Sequence, residues 1–353
     1  MTHEWRFLTI AAAAACGVFA AVWLWIAAVP LAYMEPEYPY WLAKRQLLAA
    51  CDLGQVLIVG DSRAAVGILP QRLGFTATNL AVGGGQAIET YFAVVQALDC
   101  PVPPRLVVIS IDAAHFVLPD LFWERSVRYG QIGGASLREV LATANRLGDH
   151  RMLAPYHDDR LPPELRARLH DLRFPTFYFN AVLKAGLGLR WWSNHAALRQ
   201  GILAHGQYYF GTANGSAETA REGNLTGFTP LPIQTEYLDR LLQLLRARGI
   251  ASVFVAMPVN EATRAAIRPE LERGFEAYLE NAAARYPGFE VAGTLFPAWP
   301  NEWFGDGFSH LNPAGAERFT SMFDLLLRGK LQASTPRPRP NSAHRPEQLA
   351  SRP

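Results

Sequence analysis

Apolar runs that end in polar residues alternate along the chain with amphipathic stretches. The first run, Val56-Leu57-Ile58-Val59, leads into Gly60-Asp61-Ser62, which is typical of a buried parallel strand followed by a tight turn. Further runs predict strands over 76–82, 105–112, 250–257 and 289–292. Helical spacing predicts helices over 38–50, 64–73, 86–98, 234–248, 269–286 and 313–327. This alternation predicts an α/β fold with a doubly wound parallel sheet.

The alternation is interrupted between residues 113 and 229. This stretch is rich in aromatic residues, Arg, Gly and Pro, as in Arg190-Trp191-Trp192. A structureless loop of this length is unusual inside a compact domain, so we interpret the stretch as an inserted, mostly helical cap beside the site. An aromatic surface that lies on a membrane or on a partner is the alternative. The α/β domain is then divided into residues 34–112 and 230–330.

The stretch from Phe7 to Tyr33 is almost uninterruptedly apolar and carries no charge, and it is long enough to span a bilayer. A cleaved signal peptide has a shorter apolar region, so we expect an uncleaved signal anchor over 7–33, with cleavage as the alternative. Arg6 precedes the run, and Glu35 and Glu37 follow it. The positive-inside bias therefore predicts a single pass through the inner membrane, with residues 1–6 cytoplasmic and the main domain in the periplasm or extracytoplasmic space.

The formal net charge of the chain is +2, and its basic excess depends on arginines after the last apolar segment. The stretch after this segment, residues 331–353, is rich in Pro, Ser and Arg, and we expect it to be a disordered tail. There is neither a basic face nor a zinc-binding spacing, so no nucleic-acid partner is predicted. Within the predicted helix 38–50, we expect Lys44 and Arg45 to lie on the solvated face.

The chain contains three cysteines. Cys16 lies inside the apolar N-terminal run, whereas Cys51 and Cys100 each lie shortly before a strand that we expect to be a parallel neighbour of the other. The two should therefore lie at the same end of the sheet, and a Cys51–Cys100 disulfide is predicted for an oxidising compartment. Two unpaired thiols packed as small apolar groups are the alternative.

Polar residues that follow the strands predict a site at the carboxyl edge of the sheet, where open α/β sheets bind ligands. Acyl transfer by a hydroxyl needs a nucleophile, a base and donors for the oxyanion. Ser62 is the candidate nucleophile, and His310, on the loop before the last helix, is the candidate base. The backbone N–H groups of Ser62 and Gly84 are the candidate oxyanion donors. The alternatives are that Asp61 or Ser62 caps a helix, that His310 caps or packs, and that the glycine run is a flexible turn.

Neither a metal nor an organic cofactor is predicted. Ser62 and His310 have no Cys or second His near them in the sequence, which is unlike a metal site. The run Gly83-Gly84-Gly85 lacks the G-x-G-x-x-G spacing of a dinucleotide-binding loop.

Three separated motifs together resemble the SGNH (GDSL-like) hydrolase superfamily: Gly60-Asp61-Ser62, residues 79–85 and residues 306–312. His310-Leu311-Asn312-Pro313-Ala314-Gly315 is similar to the membrane-anchored branch that works beside membrane-bound O-acyltransferases, such as the alginate and cellulose O-acetylation proteins and the protein that delivers D-alanine to teichoic acids. The resemblance covers roughly residues 56–112 and 229–327. It implies a flavodoxin-like sheet and a covalent acyl-Ser62, with His310 as base and Gly84, five residues past Asn79, as oxyanion donor.

The sequence departs from the family pattern at two places. The Asn of the third block is replaced in Asp112-Ala113-Ala114-His115, an absence that acetyl-transferring members often share. The family Asp lies three residues before the His, whereas Asp306 lies four before His310. We expect Asp306 to orient His310, with Asp112 as the alternative and a Ser–His dyad as another. Arg63, beside the nucleophile, either attracts an anionic substrate group or is an ordinary surface arginine.

We therefore expect a membrane-anchored extracytoplasmic enzyme. Ser62 would take an acyl group, most simply acetyl, and pass it to a hydroxyl of an exported or envelope polysaccharide, with a membrane-bound O-acyltransferase as partner. A carbohydrate esterase or deacetylase of the same fold is the first alternative. A catalytically inactive scaffold for a membrane-bound O-acyltransferase is the second.

Overall fold

The apolar runs form a parallel sheet of five strands in this computed structural model, which describes residues 3–119, 121–153, 161–186 and 189–333. The strands are β1 (Val56–Gly60), β2 (Ala77–Asn79), β3 (Leu106–Ser110), β4 (Ala251–Val255) and β6 (Phe289–Ala292), and a separate short parallel pair is formed by β5 (Val259–Asn260) and β7 (Ala298–Trp299). The sheet order is β2-β1-β3-β4-β6, which is one of the two common orders of doubly wound sheets.

Both faces of the sheet are buried, as expected for parallel strands with β-branched sequences. Along β1, Leu57 and Val59 point into one apolar cluster, and Val56 and Ile58 point into another. The registers Val56↔Leu106 and Gly60↔Ser110 place the carboxyl ends of β1 and β3 side by side. Polar residues that follow these two strands are therefore brought to the same edge.

Helices cover the two faces of the sheet and the edge where the strands end. They are α1 (His3–Ala28), α2 (Tyr38–Ala49), α3 (Ser62–Gly67), α4 (Ala87–Leu98), α5 (Ala113–Val117), α6 (Gly134–Leu147), α7 (His150–Leu153), α8 (Pro163–Asp171), α9 (Phe179–Lys184), α10 (Trp191–Leu203), α11 (Pro232–Ala247), α12 (Glu261–Ala266), α13 (Pro269–Arg285) and α14 (Pro313–Ala333). Helices α4, α11 and α13 contribute to the cluster on one face, and α3 and α14 contribute to the cluster on the other. The fold is therefore α/β with helices on both sides of a parallel sheet, as predicted.

The described part of residues 113–229 is mostly helical and contains no strand. A π-helical turn, Phe122–Val127, lies between α5 and α6. Helix α6 places Leu137 and Val140 in the same cluster as α4 and α11, so part of the predicted cap packs directly on the main core.

Helix α1 is long and apolar enough to cross a membrane, and its most apolar stretch is fully exposed. The predicted anchor of residues 7–33 is too long at its C-terminal end. Helix α1 stops at Ala28, because Pro30 has no N–H and its ring excludes the preceding residue from helical geometry. Leu31 and Tyr33 are buried in the folded domain.

The structure also tests the predicted disulfide and the predicted start of the C-terminal tail. Cys51 and Cys100 are joined by a disulfide with a Cα–Cα distance of 5.6 Å, which ties the end of α2 to the end of α4, and Cys16 is an exposed free cysteine. Helix α14 continues to Ala333, so the predicted disordered tail begins too early. Residues 334–353 of that tail lie outside the described residues.

Candidate active site

Ser62 lies at the turn between β1 and α3. Gly60 ends the strand with a φ of +138°, and a Cβ at this position would collide with the carbonyl of Ser110. Asp61 then caps α3 by accepting a hydrogen bond of 2.9 Å from the N–H of Arg63, so the capping role expected for Asp61 or Ser62 belongs to Asp61. The Ser62 hydroxyl therefore does not cap the helix and lies at the carboxyl edge of the sheet.

His310 is hydrogen-bonded to both Ser62 and Asp306. Its Nε2 lies 2.7 Å from the Ser62 Oγ, and its Nδ1 lies 2.6 Å from an Asp306 carboxylate oxygen. The other Asp306 oxygen accepts from the N–H of Phe308 at 2.9 Å, and Ser309 has a φ of +59°. This local bulge lets an aspartate four residues away reach the imidazole. Asp306, and not Asp112, is therefore the orienting acid in this geometry.

The surroundings of Asp306 and His310 favour a carboxylate next to an aligned ring. Burial by itself would raise the pKa of Asp306, but the hydrogen bond from His310 and the charge–charge interaction with it hold that pKa below its ordinary value. The ring of Phe210 stacks on the His310 imidazole with a centroid distance of 4.7 Å and an interplanar angle of 20°. The ring plane of the candidate base is thus fixed by a residue from the inserted segment.

A pocket of about 320 Å³ lies over Ser62, His310 and Asp306. It is lined by Ser62, Arg63, Gly84, Asp112, His115, Leu121, Arg125, Phe210, Ala220, Arg221, Asp306, Phe308 and His310. Six of the lining residues come from the inserted segment: His115, Leu121, Arg125, Phe210, Ala220 and Arg221. The segment predicted as a cap therefore forms much of the pocket wall.

The backbone N–H groups of Ser62 and Gly84 both belong to residues that line this pocket. Neither N–H donates a hydrogen bond within the part of the chain that the structure describes. Gly84 has a φ of +70°, and a Cβ there would lie 2.7 Å from the side chain of Leu121. Both N–H groups can donate to a substrate oxygen, and the positive φ at position 84 favours glycine there.

Asn79, the first residue of the second motif, is fully buried and does not line the pocket. Its Nδ2 donates to the carbonyls of Ala64 and Ile68 at 2.8 and 3.0 Å, and its Oδ1 accepts from the N–H of Ala81 at 3.1 Å. Asn79 therefore ties helix α3, which begins with Ser62, to the chain that leads to the glycine run. Its role is positional.

Lys44 is buried, with 1% of its surface exposed, so its predicted position on a solvated helix face is wrong. Its Nζ donates to the carbonyl of Asn79 at 3.1 Å and to the carbonyl of Ala81. Burial lowers the pKa of Lys44 well below its ordinary value, although Glu37 opposes the shift. Helix α2, which carries Lys44, thus supports the segment before Gly84.

Arg63 is not a surface arginine, because 5% of its surface is exposed. Its Nη2 donates to a carboxylate oxygen of the fully buried Glu222 at 2.8 Å, and its Nε donates to the carbonyl of Phe308 at 3.1 Å. Burial would lower the pKa of Arg63, but the carboxylates of Glu222 and Asp112 raise it above its ordinary value. A permanently charged arginine therefore links the turn at Ser62 to the loop that carries His310.

Asp112 and His115 form a second charged group beside Asp61. The Nδ1 of His115 lies 2.9 Å from Asp112 and 3.4 Å from Asp61. Burial opposes protonation, but these two carboxylates raise the pKa of His115 to about 10, so the ring is an imidazolium at neutral pH. Asp112 also accepts the N–H of His115 and thereby caps α5.

The ligand atoms of Asp61, Asp112 and His115 lie within 4.8 Å of one another, which is a spacing that can hold a metal ion. Both oxygens of Asp61 already accept backbone N–H groups, from Arg63 and from Asp112. With His115 protonated, the imidazolium compensates one of the two carboxylates, and Arg63, whose Nε lies 4.0 Å from Asp112, adds a further positive charge beside them. The donor set of the cluster therefore does not call for a cation.

The sequence prediction missed Glu222, Phe210 and the imidazolium of His115. A single Glu and a single Phe inside an irregular segment give no periodic signal, and Glu222 is 159 residues away from its partner Arg63. His115 lies in the stretch Asp112-Ala113-Ala114-His115, whose sequence gives no sign that Asp61 packs against the imidazole. No protein-family model matches this chain, and no curated protein matches it either.

Proposed function

We propose that the protein is a serine-dependent acyl-ester enzyme of the SGNH type, anchored to a membrane by α1. The observation that carries the proposal is the chain of hydrogen bonds from Ser62 to His310 at 2.7 Å and from His310 to Asp306 at 2.6 Å. Ser62 and Gly84 line the same pocket, and their backbone N–H groups donate to no acceptor among the described residues. A nucleophile, a base, an orienting acid and oxyanion donors are the complete set that acyl transfer by a hydroxyl needs.

The first half-reaction forms an acyl-Ser62. The Ser62 Oγ attacks the carbonyl carbon of the donor while its proton passes to the Nε2 of His310, and Asp306 stabilises the imidazolium that results. The carbonyl oxygen becomes an oxyanion, which the N–H groups of Ser62 and Gly84 bind. The donor's leaving group then departs with the proton from His310.

The second half-reaction releases the acyl group. A hydroxyl of the acceptor gives its proton to the Nε2 of His310 and attacks the acyl carbon, and the Ser62 oxygen leaves and recovers that proton. We propose a polysaccharide hydroxyl as the acceptor and acetyl as the acyl group. A pocket of about 320 Å³ is at the small end for ligand sites, which suits a short acyl chain better than a long one.

The location outside the cytoplasm is part of the same proposal. Helix α1 is long and apolar enough for a single pass, and the Cys51–Cys100 disulfide suits an oxidising compartment. An acetylated exported or envelope polysaccharide would be reached there, and a membrane-bound O-acyltransferase would be the natural supplier of the acyl group. Hydrolysis is the same reaction with water as acceptor, and an inactive scaffold would have no need for an aligned Ser62, His310 and Asp306.

A fluorophosphonate probe tests whether Ser62 is an activated nucleophile. We expect covalent labelling of the full-length protein, its loss in Ser62→Ala, and its retention in Ser321→Ala, where an exposed serine of α14 is removed. A folded protein that the probe leaves unlabelled would favour the scaffold. Turnover of an acetyl ester with and without an oligosaccharide acceptor then separates the two enzymes: an acceptor that never diverts acetyl from water would favour the esterase.

A further inference from the structure

An exposed apolar surface lies beside the C-terminal part of α1. It consists of Leu172, Phe179, Leu183, Leu189 and Trp192, and we call it the collar. Their side chains are between 56% and 83% exposed. Phe179 and Leu183 lie one turn apart on the outer side of α9, whose inner residues Ala181 and Val182 are buried. An accumulation of large, exposed apolar side chains on segments that follow one another in the chain is typical of an interaction site.

The collar is fixed against α1 by direct contacts. The indole N–H of Trp23 donates to the carbonyl of Leu172 at 2.8 Å. The ring of Phe174, two residues further on, lies 5.2 Å from the ring of Trp23 and 6.0 Å from that of Phe19. This part of the collar is therefore held at the level of residues 19–23 of the helix and not at its end.

Helices α9 and α10 are held in the same way. Ala181 and Val182 of α9 belong to the apolar cluster that contains Ile26 and Leu31. Asn194 of α10 donates to the carbonyls of Leu31 and Met34 at 2.9 and 3.0 Å. The collar and the end of α1 thus form one packed unit.

The length of α1 fixes the level of the collar relative to a bilayer. The uncharged run begins at Phe7, and a hydrocarbon core about 30 Å thick needs about 20 helical residues, which ends close to Ala28. At about 1.5 Å per residue, Trp23 then lies roughly 6 Å and Phe19 roughly 12 Å below the outer boundary. If the boundary were at Phe19 instead, only about 20 Å of apolar helix would remain, which is too short to cross.

We propose that the collar is immersed in the outer leaflet of the membrane that α1 crosses. A depth of about 5–10 Å is typical of apolar faces that lie in the interfacial region, and Trp and Leu are the side chains such faces use. Lys184 is exposed next to Leu183 and can extend its ammonium group to the lipid headgroups. This inference rests on the proposed membrane anchoring by α1 and not on the chemistry at Ser62.

Immersion of the collar would also orient the active site. Glu37, shortly after α1, pairs with Arg125 of the pocket wall at 3.1 Å. Through this segment the pocket keeps a set direction relative to the bilayer, because the domain is held by a helix and by a surface and does not swing on a single anchor. Such an arrangement suits an acyl group that arrives from a membrane protein.

Nitroxide labels test the immersion in the full-length protein, reconstituted in nanodiscs of phosphatidylcholine and phosphatidylglycerol. In a Cys16→Ser background, single labels are placed by Leu183→Cys and Trp192→Cys. Matched controls are Val102→Cys and Leu325→Cys, because both side chains are apolar and more than 70% exposed, at 78% and 73%, away from the collar. We expect the ratio of oxygen to water-soluble nickel-complex collision rates to be several-fold higher at the two collar positions than at the controls.

Equal ratios at collar and control positions would overturn the proposal. Collar labels shielded from both oxygen and the nickel complex would overturn it too, since a second copy of the chain would then cover the surface. A label on the native Cys16 distinguishes failure of the collar proposal from failure of the membrane crossing by α1. If Cys16 is shielded from the nickel complex while the collar is not, only the collar proposal fails; if Cys16 is itself accessible, the membrane crossing by α1 fails with it.

Discussion

Glu222→Gln keeps the size of a buried side chain and removes the charge that faces Arg63. The two side chains are 0% and 5% exposed, and the Arg63 Nη2 donates a charge-assisted hydrogen bond of 2.8 Å to the Glu222 carboxylate. Breaking a buried ion pair from one side costs about 3–5 kcal/mol, because the remaining charge has neither water nor a full counter-charge. Asp112 lies 4.0 Å from the Arg63 Nε and keeps part of the compensation, so we expect the lower end, about 3 kcal/mol.

The matched control is Glu272→Gln, which breaks the Arg264–Glu272 pair. Its N–O distance is 2.9 Å, but its side chains are 35% and 36% exposed, so solvent screens the pair and its loss should cost less than about 1 kcal/mol. With an unfolding entropy of about 2.1 cal/mol/K per residue over roughly 300 residues, these losses correspond to Tm decreases of about 5 °C and at most about 2 °C. Thermal unfolding in nanodiscs measures both. Equal decreases would refute the assignment of Arg63–Glu222 as a buried pair on which the fold depends.

The same pair should affect chemistry separately from stability. Arg63 also donates to the carbonyl of Phe308, two residues before His310, so loss of its partner should loosen the loop that aligns the base. Combining Arg63→Met with Glu222→Leu removes both charges, and a buried pair replaced by apolar residues is often neutral for stability. We expect this double variant to regain Tm relative to Glu222→Gln while Ser62 is still labelled slowly by a fluorophosphonate. A double variant less stable than Glu222→Gln would contradict this explanation.

Three further predictions concern the site and the disulfide. Asp306→Asn should lower kcat/KM for an acetyl ester by about 10³–10⁴-fold with little change in Tm, because the imidazole loses the acceptor that orients it; a change below tenfold would exclude the orienting role. Burial lowers the pKa of His115, but the Asp112 carboxylate outweighs burial and raises that pKa from 6.5 to about 10. The charged imidazole therefore stabilises the fold fully below pH 6.5, and this stabilisation is lost as the pH rises towards 10. The Tm advantage of the wild type over His115→Gln should therefore shrink across that range, and an advantage that grows with pH would contradict it. Cys51→Ser opens a link between residues 49 apart in sequence and should cost about 4 kcal/mol in urea unfolding, whereas Cys16→Ser, on the exposed helix, should cost almost nothing.

The parts of the fold that the sequence predicts well are those encoded locally. Each strand is an apolar run with polar residues at its end, and the parallel topology brings those ends to one edge. Ser62 and His310 could therefore be paired across 248 residues without any contact information. The prediction for Asp306 depended on a loop bulge, and the bulge is supplied by the positive φ of Ser309 and by the N–H of Phe308.

The parts that could not be predicted depend on burial decided by distant segments. Arg63 follows Ser62 like any charged residue at the start of a helix. Its burial is compensated by the carboxylate of Glu222, which is distant in the sequence. Lys44 has the spacing of a solvated helix residue, yet the carbonyls of Asn79 and Ala81 lie over it. Single charged residues carry no periodicity, so sequence patterns alone do not distinguish a buried pair from a solvated face.

These buried charges connect the segment that follows α1 to the candidate site. The Lys44 side chain, on the first helix after α1, holds the carbonyls that precede Gly84, and Glu37 of the same segment pairs with Arg125 in the pocket wall. The conformation of the candidate oxyanion loop thus depends on residues that directly follow α1. A membrane anchor joined by a loose linker would need no such contacts, because it would only have to keep the domain nearby. The packing found here favours a domain whose orientation at the membrane is coupled to the geometry around Ser62.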